Sequence, residues 1–194
     1  EKLHENNELS PELEKKILTA LKVHGDFLAD PAHFEKDYNH GLDQAAALFL
    51  LAANFPDMKG AGSWYQMASK RIDESQANII DEDGVLVENS PYYHLYVLEK
   101  FLEINKYLKQ NHLTIDGFSE DKLDKMVSYV VYMLQPDLSV PTVGASITRQ
   151  INLFGLYKEI SEKRPDLLYV LTQGKEGEMP AKLNVQYPSS GQTI

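Results

Sequence analysis

Apolar residues recur every three or four positions through most of this chain, in blocks broken by short polar turns. The spacing predicts six helices and a short seventh. The first covers about 11–29. Ser10-Pro11 and Glu12 mark its start, and Leu13, Ile17, Leu18, Leu21 and Leu28 fall at helical intervals. The second, about 40–54, is so rich in Ala, Leu and Phe over Ala45–Leu51 that it is expected to be buried all round. The third runs over about 62–80 from Ser63-Trp64 through Met67, Ala68 and Ile72. The fourth, about 91–110, carries Leu95, Val97, Leu98, Phe101, Leu102 and Ile104 behind Ser90-Pro91. The fifth, about 119–135, is capped by Ser119 with Glu120 and Asp121 in its first turn. The sixth is expected over about 148–163, and the short one over about 165–172 behind Pro165.

Pro56-Asp57, Gly60, Asp83-Gly84, Asp116-Gly117, Pro136, Pro141 and Gly144 separate these blocks. Ile79–Val87 has room for a short extended segment. The pattern is therefore all-α, a run of antiparallel helical hairpins. In such an array alternate helices start at one end. Asn39-His40, Tyr92-Tyr93-His94 and the Pro141–Arg149 loop are then expected on a common rim. The character changes after Gly174. Residues 174–194 are polar and turn-rich, and Leu183–Tyr187 alternates like a strand without an evident partner. The expected organisation is a helical domain over 1–173, then a linker and first strand over 174–194 toward a further β-rich domain. The chain begins at Glu1 and shows no signal peptide, as a mature form or an excised fragment would.

The richest chemistry lies in Glu88-Asn89-Ser90-Pro91-Tyr92-Tyr93-His94, which puts two phenols and an imidazole into the first turn of a helix. Each has an ordinary alternative: the tyrosines as packing, Glu88 as a partner of backbone amides near the cap. Asn39 reads equally as the N-cap of the second helix, with His40 beside it raising the case for a cleft. Trp64 and Tyr65 suit either a sugar platform or a buried helix start. His4, His24, His33 and His112 have no ligand spacing and read as surface residues. Asp81-Glu82-Asp83-Gly84 lacks the ligand spacing of a calcium loop and reads as a turn.

Composition narrows the choice. With no cysteine, disulfides, zinc thiolates and thiol nucleophiles are excluded. A net charge of -10 with only Arg71, Arg149 and Arg164 as arginines offers no basic face for nucleic acid. An anionic ligand would need a locally basic groove. No apolar run is long enough for a membrane-spanning helix.

Tyr38-Asn39-His40-Gly41-Leu42-Asp43-Gln44, then Trp64, Ala68 and Arg71, then Asp83-Gly84 and Glu88–His94, together resemble the heparinase II/III-like polysaccharide lyases. The likeness covers roughly residues 35–194. It implies the C-terminal part of an N-terminal α/α toroid, incomplete here. Tyr187-Pro188-Ser189-Ser190-Gly191 resembles the entry to that family's β-sandwich domain, which would complete the cleft. The implied reaction is β-elimination in a uronic-acid polysaccharide such as heparan sulfate, alginate or hyaluronan. By resemblance Asn39 and His40 neutralise the substrate carboxylate, and Tyr93 is the catalytic acid or base. His94 takes a further catalytic place, and Glu88, Tyr92, Trp64 and Arg149 line the substrate. The resemblance implies no cofactor and no metal, and a periplasmic or secreted setting. Because the sandwich domain supplies another catalytic His, the isolated chain is expected to be inactive or nearly so. One departure stands out: Pro141–Ser146 reads Pro-Thr-Val-Gly-Ala-Ser where many members carry Gly-Asp. Two other readings stay open, a non-catalytic carbohydrate-binding module and a helical interaction scaffold. The scaffold requires Asn39, His40 and Tyr93 to be buried and dispersed.

Overall fold

Seven α-helices make up most of the described residues of the computed structural model, which cover 10–151, 155–182 and 184–194. They are α1 (Pro11–Ala29), α2 (Asn39–Asn54), α3 (Ala61–Ile79), α4 (Pro91–Asn111), α5 (Glu120–Met133), α6 (Gly155–Ser161) and α7 (Pro165–Leu171). A single 3-10 turn, Pro31–His33, follows α1. The only strands among the described residues are β1 (Gln186–Tyr187) and β2 (Gln192–Thr193), paired antiparallel. The chain divides into two compact units. One holds the residues up to Lys36 together with His40–Ile72; the other holds Asp37–Asn39 and Asp73–Ile194.

In the first unit Trp64 is the keystone. Its indole is 3% exposed, and it lies so close to α1 that a Cβ on Gly25 would sit 2.4 Å from the ring. Only glycine lets the two helices approach this closely. Arg71 closes the end of α1, with its guanidinium donating to the carbonyls of Leu28 (2.6 Å) and Ala29 (3.2 Å). These are carbonyls the helix cannot satisfy itself, and a cation suits that end of the dipole. The same guanidinium lies over the Phe34 ring at 4.0 Å. Gln44 clips the segment before α2 by donating to the His33 carbonyl (2.8 Å) and accepting from the Glu35 N–H (3.0 Å).

In the second unit α4 is the spine. Leu95, Leu98, Phe101, Ile104 and Leu108 form its buried face, and Leu123, Met126, Val127 and Val130 supply that of α5. The Arg164 guanidinium donates to Asp124 and Ser128 of α5 and to Asp166 of α7, which fixes the short last helix. Burial alone would lower the pKa of Arg164, but Asp166 and Asp124 hold it above its ordinary value. The Ile79–Val87 segment is a small antiparallel loop. Ile80 bridges Leu86, and one Asp81 carboxylate oxygen accepts the N–H groups of Asp83 (2.9 Å) and Val85 (2.8 Å). Gly84 sits there at φ +85, and a Cβ would lie 2.5 Å from that of Lys125, so position 84 admits glycine on both counts.

Helix positions follow the sequence pattern closely, and the structure corrects four expectations. The sixth helix starts at Gly155 and not near 148. Residues 148–151 are extended: Ser139 bridges Gln150, Val140 donates to the Arg149 carbonyl (2.9 Å) and Ile151 to that of Leu138 (3.0 Å). β-branched Ile147, Thr148 and Ile151 favour that pairing over a helix. Residues 152–154, inside the expected helix, lie outside the described residues. The second helix is not buried all round, since Ala47, Leu50 and Asn54 face outward. The tail strand does find a partner. Val185 and Ile194 exchange both backbone hydrogen bonds (2.7 and 2.9 Å), and the hairpin folds back onto its own unit. The α1 stripe is also more open than its spacing suggested, with Leu13 46%, Ile17 39% and Leu18 38% exposed.

Gly25→Ala should lower the free energy of unfolding by about 1–2 kcal/mol, because overpacking against Trp64 outweighs the helix-propensity gain. Gly62→Ala, which meets open space in α3, should leave stability unchanged or slightly higher. Urea denaturation of both variants checks this, and equal stabilisation by the two would contradict the packing argument.

Candidate active site

The start of α4 is built as its sequence demands. Ser90 is extended (φ -116, ψ 109), and its hydroxyl accepts the Tyr93 N–H at 3.3 Å. Pro91 takes the first helical position, where a missing N–H costs nothing. The rings of Tyr92 and Tyr93 meet edge to face, 5.3 Å apart at 86°. Both are half-buried.

The 141–149 loop lies against this turn. The Ser146 hydroxyl accepts the Tyr92 N–H at 3.2 Å and sits 3.0 Å from the Ser90 hydroxyl. Arg149 lies 5.9 Å from the Tyr92 ring and is ion-paired to Glu99 at 2.6 Å. Burial alone would lower the Arg149 pKa, but the Glu99 carboxylate holds it above its ordinary value. Tyr157, 7% exposed, joins the same cluster. Burial first, then the Glu99 charge, push its phenol up, so it stays protonated. Of the expected residues, the structure thus brings Tyr92, Tyr93 and Arg149 together. Glu99, Ser146 and Tyr157 were not singled out by sequence. Glu99 had a signal, because it lies on the helix face of Tyr92 seven positions on. Ser146 had none, since its partners are 54 and 56 residues away.

His94 follows directly in the chain but points inward and is 1% exposed. The Leu86 N–H donates to its Nδ1 (3.3 Å), and its Nε2 donates to the Met126 carbonyl (3.1 Å). That network assigns the Nε2–H tautomer of a neutral ring. Burial pushes its pKa down to about 4, against a smaller opposing pull from the Met126 carbonyl. The ring packs on Tyr129 (4.6 Å), and Tyr129 packs on Tyr187 of the tail hairpin (5.2 Å). The Tyr129 hydroxyl donates to Gln192 (2.8 Å), which in turn donates to the side chain of Asn89 (2.7 Å). Asn89, with φ 51, is the residue before the cap.

Asn39 is the first residue of α2 and half-buried. The turn before it holds Asp37 at φ 67, whose carboxylate accepts from the Asn78 side chain at 2.9 Å. His40 belongs to the first unit and is exposed, with its Nδ1 3.0 Å from the Glu35 carboxylate. Glu88 is exposed. Trp64 corrects an expectation. Its ring is consumed by Gly25 and the α1–α3 contact, with Lys22 5.3 Å above it, so no face is left for stacking on a sugar.

The buried His94 carries a pH signature. The unfolded chain binds its proton below about pH 6.5, whereas the folded protein does so only near 4. Stability is therefore full above 6.5 and falls as pH drops toward 4, by about 3 kcal/mol in all. Between those values the wild-type slope should exceed that of His94→Gln by about 1.4 kcal/mol per pH unit in urea unfolding. An NMR titration placing the His94 midpoint near 6.5 would contradict this.

Comparison with known proteins agrees with this architecture. A sequence profile of the heparinase II/III N-terminus matches residues 3–167. A heparin-sulfate lyase of Pedobacter heparinus is 22% identical over 189 residues, which cover 94% of this chain and 28% of that protein. One from Bacteroides thetaiotaomicron is 28% identical over 182 residues, 87% of this chain and 26% of its own length. Among solved structures, heparan sulfate lyase HepC from Pedobacter heparinus superposes with a TM-score of 0.68 at 22% identity, over 91% of this chain and 28% of that one. A heparinase III crystal structure gives 0.68 at 28% identity, over 80% and 26%. The fold is the all-α, toroid-type fold of these neighbours. The chain spans about a quarter of the length of the relatives it matches. It belongs to the heparinase II/III family, and the part it represents is drawn from that family's N-terminal region.

Proposed function

We propose that this chain is the toroid-type portion of a polysaccharide lyase that cleaves a uronic-acid polysaccharide of the heparan sulfate kind by β-elimination. The similarity to heparin-sulfate lyases supports the substrate class. The observation that carries the reading is the Tyr92–Tyr93 turn, where a half-buried pair of phenols lies beside Arg149. Arg71 and Arg164 are spent on α1 carbonyls and on Asp124 and Asp166, so Arg149 is the arginine beside that turn.

The chemistry follows from the substrate. Removing the proton at C5 places negative charge beside a carboxylate, so that carboxylate must first be neutralised by hydrogen-bond donors. Asn39 and His40 take this role in the proposal. A base takes the C5 proton, either the Tyr93 phenolate itself or a histidine supplied from outside this chain; the C5–H electron pair forms the C4–C5 double bond and the C4–O bond breaks. Tyr93 delivers a proton to the departing oxygen. As a base it would need nearby positive charge to lower a phenol pKa that is ordinarily near 10. His94, buried with both nitrogens bonded, acts in this proposal by positioning the turn. An exported protein goes with this reading.

The scaffold alternative requires Asn39, His40 and Tyr93 to be buried and dispersed; an exposed His40 and half-buried Asn39 and Tyr93 count against the burial it requires. A binding module without chemistry draws support from Glu99, which already neutralises Arg149. Kinetics separates it from the lyase. In the whole protein that carries this chain, Tyr93→Phe should cut formation of unsaturated product from heparan sulfate at least 100-fold, with the urea midpoint unchanged. Retained activity would overturn the role of Tyr93. Glycan binding with no product from the wild type would favour the module.

A further inference from the structure

A helix leaves its first backbone N–H groups without partners, and those of Tyr92 and Tyr93 at the start of α4 are settled in specific ways. Pro91 has none to settle. The Tyr93 N–H goes to the Ser90 hydroxyl (3.3 Å) and the His94 N–H to the Ser90 carbonyl (2.8 Å). The Tyr92 N–H is left, and its acceptor is the Ser146 hydroxyl at 3.2 Å, from 54 residues further along the chain. The two serine hydroxyls are 3.0 Å apart, so one donates to the other and the pair closes over the helix start.

We propose that Ser146 is a positioning residue for the Tyr92–Tyr93 turn, acting as a second cap delivered by the 138–151 arm. The inference rests on the lyase reading for its effect on turnover, not for its structural part. Four features make the arm fit to hold a position. Its base is a ladder, with Ser139 bridging Gln150, the Val140 N–H donating to Arg149 and the Ile151 N–H to Leu138. Asp137 ties off the base by accepting from the Ser139 N–H (3.0 Å) and hydroxyl (2.6 Å). Its tip passes the residue before the cap so closely that a Cβ on Gly144, at φ +60, would come within 3.0 Å of the Asn89 carbonyl. Further along α4, Arg149 grips Glu99 at 2.6 Å. The arm therefore meets α4 before, within and beyond the turn that carries Tyr93. On the other side Gln192 of the tail hairpin holds the Asn89 side chain at 2.7 Å. A phenol that must reach a leaving oxygen tolerates little displacement, because an error of about 1 Å costs on the order of 100-fold in rate. The unusual Pro-Thr-Val-Gly-Ala-Ser sequence thus has a task of its own here: glycine for the approach and serine for the cap.

The test uses Ser146→Ala and Ser146→Thr in the whole protein that carries this chain. Amide hydrogen exchange at Tyr92 should speed up about tenfold in Ser146→Ala, with the α5 amides unchanged and the Tyr92 protection restored in Ser146→Thr. With heparan sulfate, kcat should fall about tenfold in Ser146→Ala at a near-constant KM, and Ser146→Thr should recover it. Unchanged exchange at Tyr92 would overturn the cap. Faster exchange with unchanged kcat would overturn its role in positioning. A loss of activity matched by loss of folded protein in urea would also overturn that role. If the wild type yields no unsaturated product, the lyase reading falls, and the exchange result alone decides the cap.

Discussion

Backbone N–H groups at a helix start must find acceptors, and in this protein that requirement organises the surroundings of Tyr93. Ser90 and Pro91 meet part of it locally. The remainder is met from a distance by Ser146. Once the arm is committed to that contact, Gly144 must pass Asn89 and Arg149 must reach Glu99. Two aromatic rings are thereby fixed at the mouth of a helix whose buried face, from Leu95 through Phe101 to Leu108, belongs to the core.

The inner side of the turn obeys a second constraint. His94 is a polar ring in an apolar interior, affordable only because Leu86 and Met126 satisfy both its nitrogens. It joins the Ile79–Val87 loop to α5. Through Tyr129 it also meets the tail hairpin, where Gln192 completes a polar link back to Asn89. The turn is thus held from the solvent side by the arm and from the core side by the histidine. The overall charge of -10 works against an anionic ligand, and the cation beside this turn is already shared with Glu99. A polyanion would have to compete with that carboxylate for Arg149.

The helices were legible because 3.6-residue periodicity, capping serines and N1 prolines are local signals. Ser10, Ser90 and Ser119 all cap as expected. The sixth helix misled because Ile147–Ile151 is apolar enough to suit either structure, and its ladder partner, Leu138–Val140, lies across a turn. The same limit applies to the site. Tyr92, Tyr93 and Asn39 stood out by residue type and place. Trp64 misled because an indole at a helix start looks alike from sequence whether it faces solvent or, as here, a glycine on another helix. Ser146 gains its meaning from contacts more than fifty positions away, which no local pattern encodes, whereas Glu99 shares a helix face with Tyr92 and only its Arg149 partner is remote.

The most direct measurement is a crystal structure of the whole protein, as the Tyr93→Phe variant, with a heparan sulfate tetrasaccharide bound. The account predicts a uronate carboxylate within about 3 Å of the Asn39 side-chain amide, and the glycosidic oxygen to be expelled beside the ring at position 93. A saccharide seated elsewhere, with Asn39 and position 93 contacting no common sugar, would contradict it.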